Sequence, residues 1–124
     1  MDRWVRSLRG PKSEPVAWRP LRVVHEQERR PRGGMTVAST VFLVGKECPF
    51  SCVFCDLWKD TLPGLTPPGS LPRQLELALS QISQRSLIKL YNASNFFDPS
   101  AVPPCDYEAI LELLRGFQRV TVEC

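Results

Sequence analysis

The run Cys48-Pro-Phe-Ser-Cys52-Val-Phe-Cys55 constrains this chain more than any other stretch. It sets three cysteines within eight residues, spaced C-x3-C-x2-C. An apolar run, Thr40-Val-Phe-Leu-Val44, leads directly into it. Thiolates at that density on one loop read most simply as ligands for a metal ion or an iron–sulfur cluster.

The length of 124 residues fits one modest domain, and an apolar fraction of 43% is enough for a packed core. No run of about 18 apolar residues exists, so no transmembrane helix is expected. Arginines are scattered through the N-terminus and no apolar signal core is present, which points to a cytoplasmic, reducing compartment. In that setting, five cysteines with three crowded together point to metal binding rather than disulfides.

Charge is unevenly spread. Residues 1–34 carry nine Lys/Arg against four Asp/Glu, and residues 35–124 carry seven against nine. A basic arm with Trp4 and Trp18 suits contacts to RNA phosphates and bases; the plainer reading is a solvated, loosely ordered leader. Pro11, Pro15, Pro20 and Pro31 interrupt any helix there, and Gly33-Gly34 closes the segment, so residues 1–34 read as an extended basic Pro/Arg-rich arm. His25, the single histidine, suits an exposed or arm-packing position better than acid–base work.

Beyond Met35 the pattern is regular. Val37–Val44 reads as a buried strand ending at Gly45. After the cysteine loop and a proline-rich connection, Ser70 can cap a helix with Pro72 in its first turn and Leu75, Leu79 and Ile82 at helical spacing. Leu87–Tyr91 reads as a second strand, and Asn92–Pro104 as a long loop. Asp106 then caps a second helix with Ile110, Leu113 and Leu114 on its apolar face and Gly116 as its stop, and Arg119–Glu123 is a third strand. Strand, helix, strand, helix, strand with long connections predicts an α/β fold: a parallel sheet with outer helices. In such sheets ligands sit at the C-terminal ends of the strands. The cysteine loop, the loop after the second strand and Glu123 all fall on that rim.

Several chemistries could use the three thiols. Structural zinc wants four ligands, so Cys105 or His25 would have to come from far away. A redox pair of Cys52 and Cys55 leaves Cys48 unexplained. A cubane cluster held by three thiolates keeps one iron open for an external ligand.

The spacing Cys48-x3-Cys52-x2-Cys55 after the first strand, with Phe54 just before the last cysteine, resembles the signature of the radical S-adenosylmethionine superfamily. Glu47–Trp58 as a whole, Ile88–Asn92, the triplet Phe96-Phe97-Asp98 and Arg119–Cys124 are similar to a subgroup near the elongator-type members and the radical subunit of archaeosine synthase. The resemblance covers roughly residues 36–124.

What the resemblance implies is specific. Cys48, Cys52 and Cys55 would hold a [4Fe-4S] cluster, and S-adenosylmethionine would chelate the open iron and be cleaved reductively to a 5′-deoxyadenosyl radical. Phe54 would lie near the adenine. Many members carry Gly-Gly-Glu after the second strand to hold the amino group; this chain has Tyr91-Asn-Ala-Ser94, so Asn92 and Ser94 are the candidates there, with Glu123 as a further cofactor contact. By their own positions, Asp56 and Trp58 read as fixing the loop by a cap or by packing, Phe96 and Phe97 as core or lid residues, and Cys105 as structural or incidental. The resemblance further implies a tRNA or other RNA substrate, an external electron donor and a partner subunit. A six-unit barrel needs roughly 180 to 200 residues by comparison with eight-unit barrels. Residues 35–124 would thus form its N-terminal half, about three βα units of a partial barrel with an exposed sheet edge that favours aggregation. The alternative expectation is a small zinc-stabilised nucleic-acid-binding module.

Overall fold

The computed structural model describes residues 2–123. Helix α1 spans Asp2–Ser7, strand β1 Arg22–Arg29 and strand β2 Met35–Phe42. Helix α2 spans Ser70–Leu79, β3 Leu87–Tyr91, α3 Tyr107–Leu113 and β4 Arg119–Val122. The fold is α/β, with one four-stranded mixed sheet in the order β1-β2-β3-β4. β2, β3 and β4 run parallel, each joined to the next through a helix as the apolar pattern predicts.

The sheet is mixed, which corrects the expectation of a wholly parallel one: residues 22–29, within the N-terminal segment, supply an antiparallel strand. β1 pairs antiparallel with β2 over its full length, from Arg22 opposite Phe42 to Arg29 opposite Met35. Gly33 and Gly34 make the turn between them, both at positive φ (93° and 80°), with Arg30 N donating to Gly34 O across 2.9 Å. A glycine pair reaches that backbone region at little steric cost. The strand was hidden because Arg22-Val-Val-His-Glu-Gln-Glu-Arg29 lacks an alternating apolar face. It is an edge strand, held by its backbone ladder and by charged side chains.

Side chains alternate between the two faces of the sheet, one of which carries the core and the other a cluster of ion pairs. Val41, Ile88 and Leu90 are fully buried and join Leu71 and Leu75 of α2 and Ile110 of α3 in one core. Val23 of β1 and Val122 of β4 pack on its margins. On the opposite face, Glu28 of β1 reaches across β2 to two cations. Its Oε2 lies 3.0 Å from Lys89 Nζ and its Oε1 3.0 Å from Arg119 Nη2. Further along, the Arg22 guanidinium lies 4.7 Å from the centre of the Phe42 ring, which meets Tyr91 edge-on at 5.9 Å.

The helix ends differ from the sequence expectation in an instructive way. Ser70 is the first helical residue rather than the cap, and its hydroxyl donates to Pro67 O at 2.7 Å. Gly69 takes the cap position at φ 84°. Asp106 does not cap its own helix through its side chain. Its carboxylate is buried and accepts the Gly69 N–H at 3.0 and 3.1 Å, so it satisfies an orphan donor at the start of α2 instead. Gly116 does follow the end of α3, at φ 93°, and Arg85 donates to the Arg115 carbonyl there at 3.1 Å.

The deepest polar side chain is Gln74 of α2, at 0% exposure. Its Oε1 accepts the Val44 N–H and its Nε2 donates to Val44 O, both at 2.8 Å, while Nε2 also donates to Ala17 O at 2.6 Å. Gln74→Leu keeps the volume but strands these backbone groups. Each buried unsatisfied group costs about 1–3 kcal/mol. Urea unfolding followed by circular dichroism should therefore show a clearly lower midpoint with an unchanged slope.

The Glu28 carboxyl is held below its ordinary range, first by the hydrogen bond from Lys89 and then by the charges of Lys89 and Arg119. A depressed acid stabilises the fold above its unfolded-state value, and that contribution disappears as pH falls through the folded one. Glu28→Gln should remove this part of the acid-side loss, so the melting temperature of the variant should fall less steeply below the ordinary carboxylate range.

Candidate metal centre at the cysteine loop

The loop leaves the sheet through a tightly fixed neck. Leu43 N donates to Tyr91 O at 2.7 Å, and Val44 is held by Gln74. Gly45 O accepts Leu62 N at 2.8 Å, Lys46 bridges Leu62, and Lys46 N donates to Thr66 Oγ1 at 2.9 Å. The two ends of the loop are thus pinned side by side. Within it, Cys55 N donates to Cys52 O at 3.2 Å, and a 3-10 turn over Leu57–Asp60 closes on Thr61, whose hydroxyl donates to Trp58 O at 2.7 Å. Asp56 begins this turn without a side-chain cap and lies 3.4 Å from Lys59 Nζ.

Cys48 and Cys55 are half-buried, Cys52 is exposed, and all three are free thiols. They line two different cavities. Cys48 lines a cleft of about 530 Å³ together with Phe50, Leu57, Asn92, Ser94 and Glu123. Cys52 and Cys55 line a cavity of about 260 Å³ with Trp4, Leu8, Arg9 and Trp58. Among the described residues, no three His, Cys, Asp or Glu side chains converge as a metal-ligand group.

The cleft gathers four of the residues that the sequence places on the rim: Cys48, Asn92, Ser94 and Glu123. Asn92 and Ser94 follow β3, and their side-chain oxygens Oδ1 and Oγ are buried with no hydrogen-bond partner. Orphaned acceptors are costly and call for a ligand or water. Glu123 follows β4, and its carbonyl accepts the Phe96 N–H at 2.8 Å, which ties the loop after β3 to the end of β4. The cleft thus brings one thiol, Cys48, together with Asn92, Ser94 and Glu123, while Cys52 and Cys55 line the other cavity, so the described side chains do not by themselves form a three-thiol metal site. Phe54 is apart from this group: it is 91% exposed and does not line the cleft.

The loop after β3 is cross-bonded within itself. Asn95 Oδ1 accepts the Phe97 N–H at 2.8 Å, and Asp98 Oδ1 accepts both the N–H and the hydroxyl of Ser100 at 2.9 and 2.8 Å. These bonds, the backbone one first, hold the Asp98 carboxyl below its ordinary range. Phe96 is buried, whereas Phe97 is exposed and meets it edge-on at 5.7 Å. Cys105 is exposed, with its thiol 3.7 Å from Asp106 Oδ1. His25 is on β1, with Nδ1 3.0 Å from Ser39 Oγ.

Sequence reasoning missed the part played by the N-terminal segment. Arg6 Nε donates to Ser51 Oγ at 2.9 Å, Arg9 pairs with Glu47, and Ser13 N donates to Lys59 O at 2.9 Å. These partners lie some forty residues apart, so only the density of arginines in residues 3–12 hints at them. No protein-family model, no curated protein and no solved structure matches the chain.

Gly45 is the narrowest point of the neck. A Cβ there would stand 2.9 Å from Thr66 Oγ1 and 3.4 Å from Ala101 O. Gly45→Ala should displace Thr66 from the Lys46 N–H and destabilise the fold by about 1–3 kcal/mol, as overpacking does. Thermal unfolding read by circular dichroism measures the loss.

Proposed function

We propose that this chain is the N-terminal part of a radical S-adenosylmethionine enzyme core. The observation that carries the reading is the C-x3-C-x2-C loop leaving β2 at the rim where Asn92, Ser94 and Glu123 share a cleft with Cys48. The β2-α2-β3-α3-β4 order, with adjacent parallel strands, is the repeating unit of a (βα) barrel wall, which supports a partial barrel of this type.

In this reading Cys48, Cys52 and Cys55 hold a [4Fe-4S] cluster. When bound, the cluster and S-adenosylmethionine supply reductive sulfonium cleavage and a 5′-deoxyadenosyl radical. The chain's own residues bind and orient. Asn92 and Ser94, which line the cleft and carry buried oxygens without internal partners, are the residues that would meet a cationic amino group, and Glu123 would add charge complementarity. Phe54 would reach an adenine only by a change of loop conformation, because it faces solvent. An external electron donor, a cytoplasmic setting and a partner subunit go with this reading. So does an RNA substrate, tRNA being the form the resemblance implies. Arg29, Arg30, Arg32 and Arg119, which line one cavity at the hairpin end, are chemically suited to phosphates. No helix among the described residues is long and apolar enough to cross a membrane.

The second reading is a zinc-stabilised nucleic-acid-binding module, favoured by the same thiols and the same arginines. Anaerobic reconstitution with iron and sulfide separates the two. The expected outcome is a charge-transfer absorption band with stoichiometric iron, lost in Cys52→Ala and kept in Cys105→Ala. Tight zinc without a cluster would overturn the enzyme reading. Formation of 5′-deoxyadenosine from S-adenosylmethionine and a reductant tests turnover.

A further inference from the structure

We propose that Arg9 is the positioning residue that closes the cysteine loop, by contacting Glu47 immediately before Cys48 and Trp58 just beyond Cys55. The proposal rests on the reading of that loop as a metal-binding element and adds a residue from outside the motif. Arg9 pairs through Nη1 with Glu47 Oε1, and its guanidinium carbon lies 4.7 Å from the centre of the Trp58 ring. A single flat cation therefore touches both shoulders of the run that carries the three thiols. A planar guanidinium can do this because it pairs in its plane and stacks on its face.

The neighbouring residues reinforce the same closure. Lys12 Nζ lies 3.6 Å from Glu47 Oε2, so two cations share one carboxylate. Arg6 Nε donates to Ser51 Oγ between Cys48 and Cys52. Ser13 ties down the far side, donating through N to Lys59 O at 2.9 Å and through its hydroxyl to Asp60 Oδ1 at 2.7 Å. The Arg9 side chain is only 13% exposed, and its Nε is buried without a partner. Arg9, Cys52, Cys55 and Trp58 line the same cavity of about 260 Å³.

Closure of this kind has a thermodynamic effect on binding. Gathering three thiols around one centre costs the loop its conformational freedom. A loop already held at Glu47 and Trp58 has lost part of that freedom in folding, so binding costs less. Residues that orient metal ligands without touching the metal typically change affinity about 10–100-fold.

The test compares the full chain with Arg9→Gln and Arg9→Lys. Cobalt(II) is titrated anaerobically and the thiolate-to-metal absorption is read. Amide hydrogen exchange is measured over residues 47–60 in the metal-free proteins, with far-UV circular dichroism as the folding control. Arg9→Gln should weaken cobalt binding about 10–100-fold and speed exchange at Cys55 and Lys59. Arg9→Lys keeps the charge for Glu47 but not the flat face over Trp58, and should fall between. Wild-type exchange in Arg9→Gln overturns the proposal, and so does faster exchange with wild-type cobalt affinity. If the wild-type chain gives no thiolate band, the metal reading of the loop fails by itself. The exchange comparison then decides whether Arg9 closes the loop. Should Arg9→Gln not fold, Glu47→Gln removes the ion pair alone and carries the same two readouts.

Discussion

The paired hydrogen bonds between the Gln74 amide and the Val44 backbone are what the rest of the site depends on. β2 ends at Phe42, and Val44 lies beyond it, buried at 1% exposure with no strand neighbour for its N–H or C=O. An amide side chain presents one acceptor and two donors, enough to satisfy both groups and still reach Ala17 O. One residue of α2 thereby sets the direction in which the chain leaves the sheet and the track of the N-terminal segment over it. An apolar residue of the same size would pack equally well and supply neither.

The elements that sequence made legible are those whose cause is local. Leu87–Tyr91 is a strand because four of its five residues are apolar or aromatic and it is flanked by polar turns, and the structure places it at those residues. The Gly116 stop is legible because a left-handed residue is needed there. β1 was not legible, since it has two valines among charges and derives its order from β2. Asp106 carries the signature of a helix cap, yet its carboxylate turns to Gly69, thirty-seven residues away. Gln74 sits in an ordinary helical position and shows nothing of its role. Hydrogen-bond partners brought together by packing leave no periodicity to read.

The rim of the sheet was legible as a place, and less so as a geometry. Topology alone sets the segments after β2, β3 and β4 at one end, and Cys48, Asn92, Ser94 and Glu123 do meet there. Spacing in sequence carries no information about which cavity each thiol lines, and Cys48 lines a different one from Cys52 and Cys55. The charge asymmetry was visible as well, but its use was not. Part of the basic excess is spent internally on Glu47 rather than on an outside anion.

The antiparallel hairpin has a consequence for the edges of this sheet. β1 occupies the edge of β2 that faces away from β3, so β2 has a partner on both sides. A closed ring of parallel strands needs that edge free for its last member. With it taken, the three parallel strands belong to an open sheet whose edges are β1 and β4. The β1 end of the sheet is guarded by Arg22, Glu26 and Arg29, whereas β4 offers Val120 and Thr121 to solvent. The two edges of the sheet therefore differ in chemistry: one is lined by charged side chains, and the other leaves an apolar side chain beside unpaired backbone.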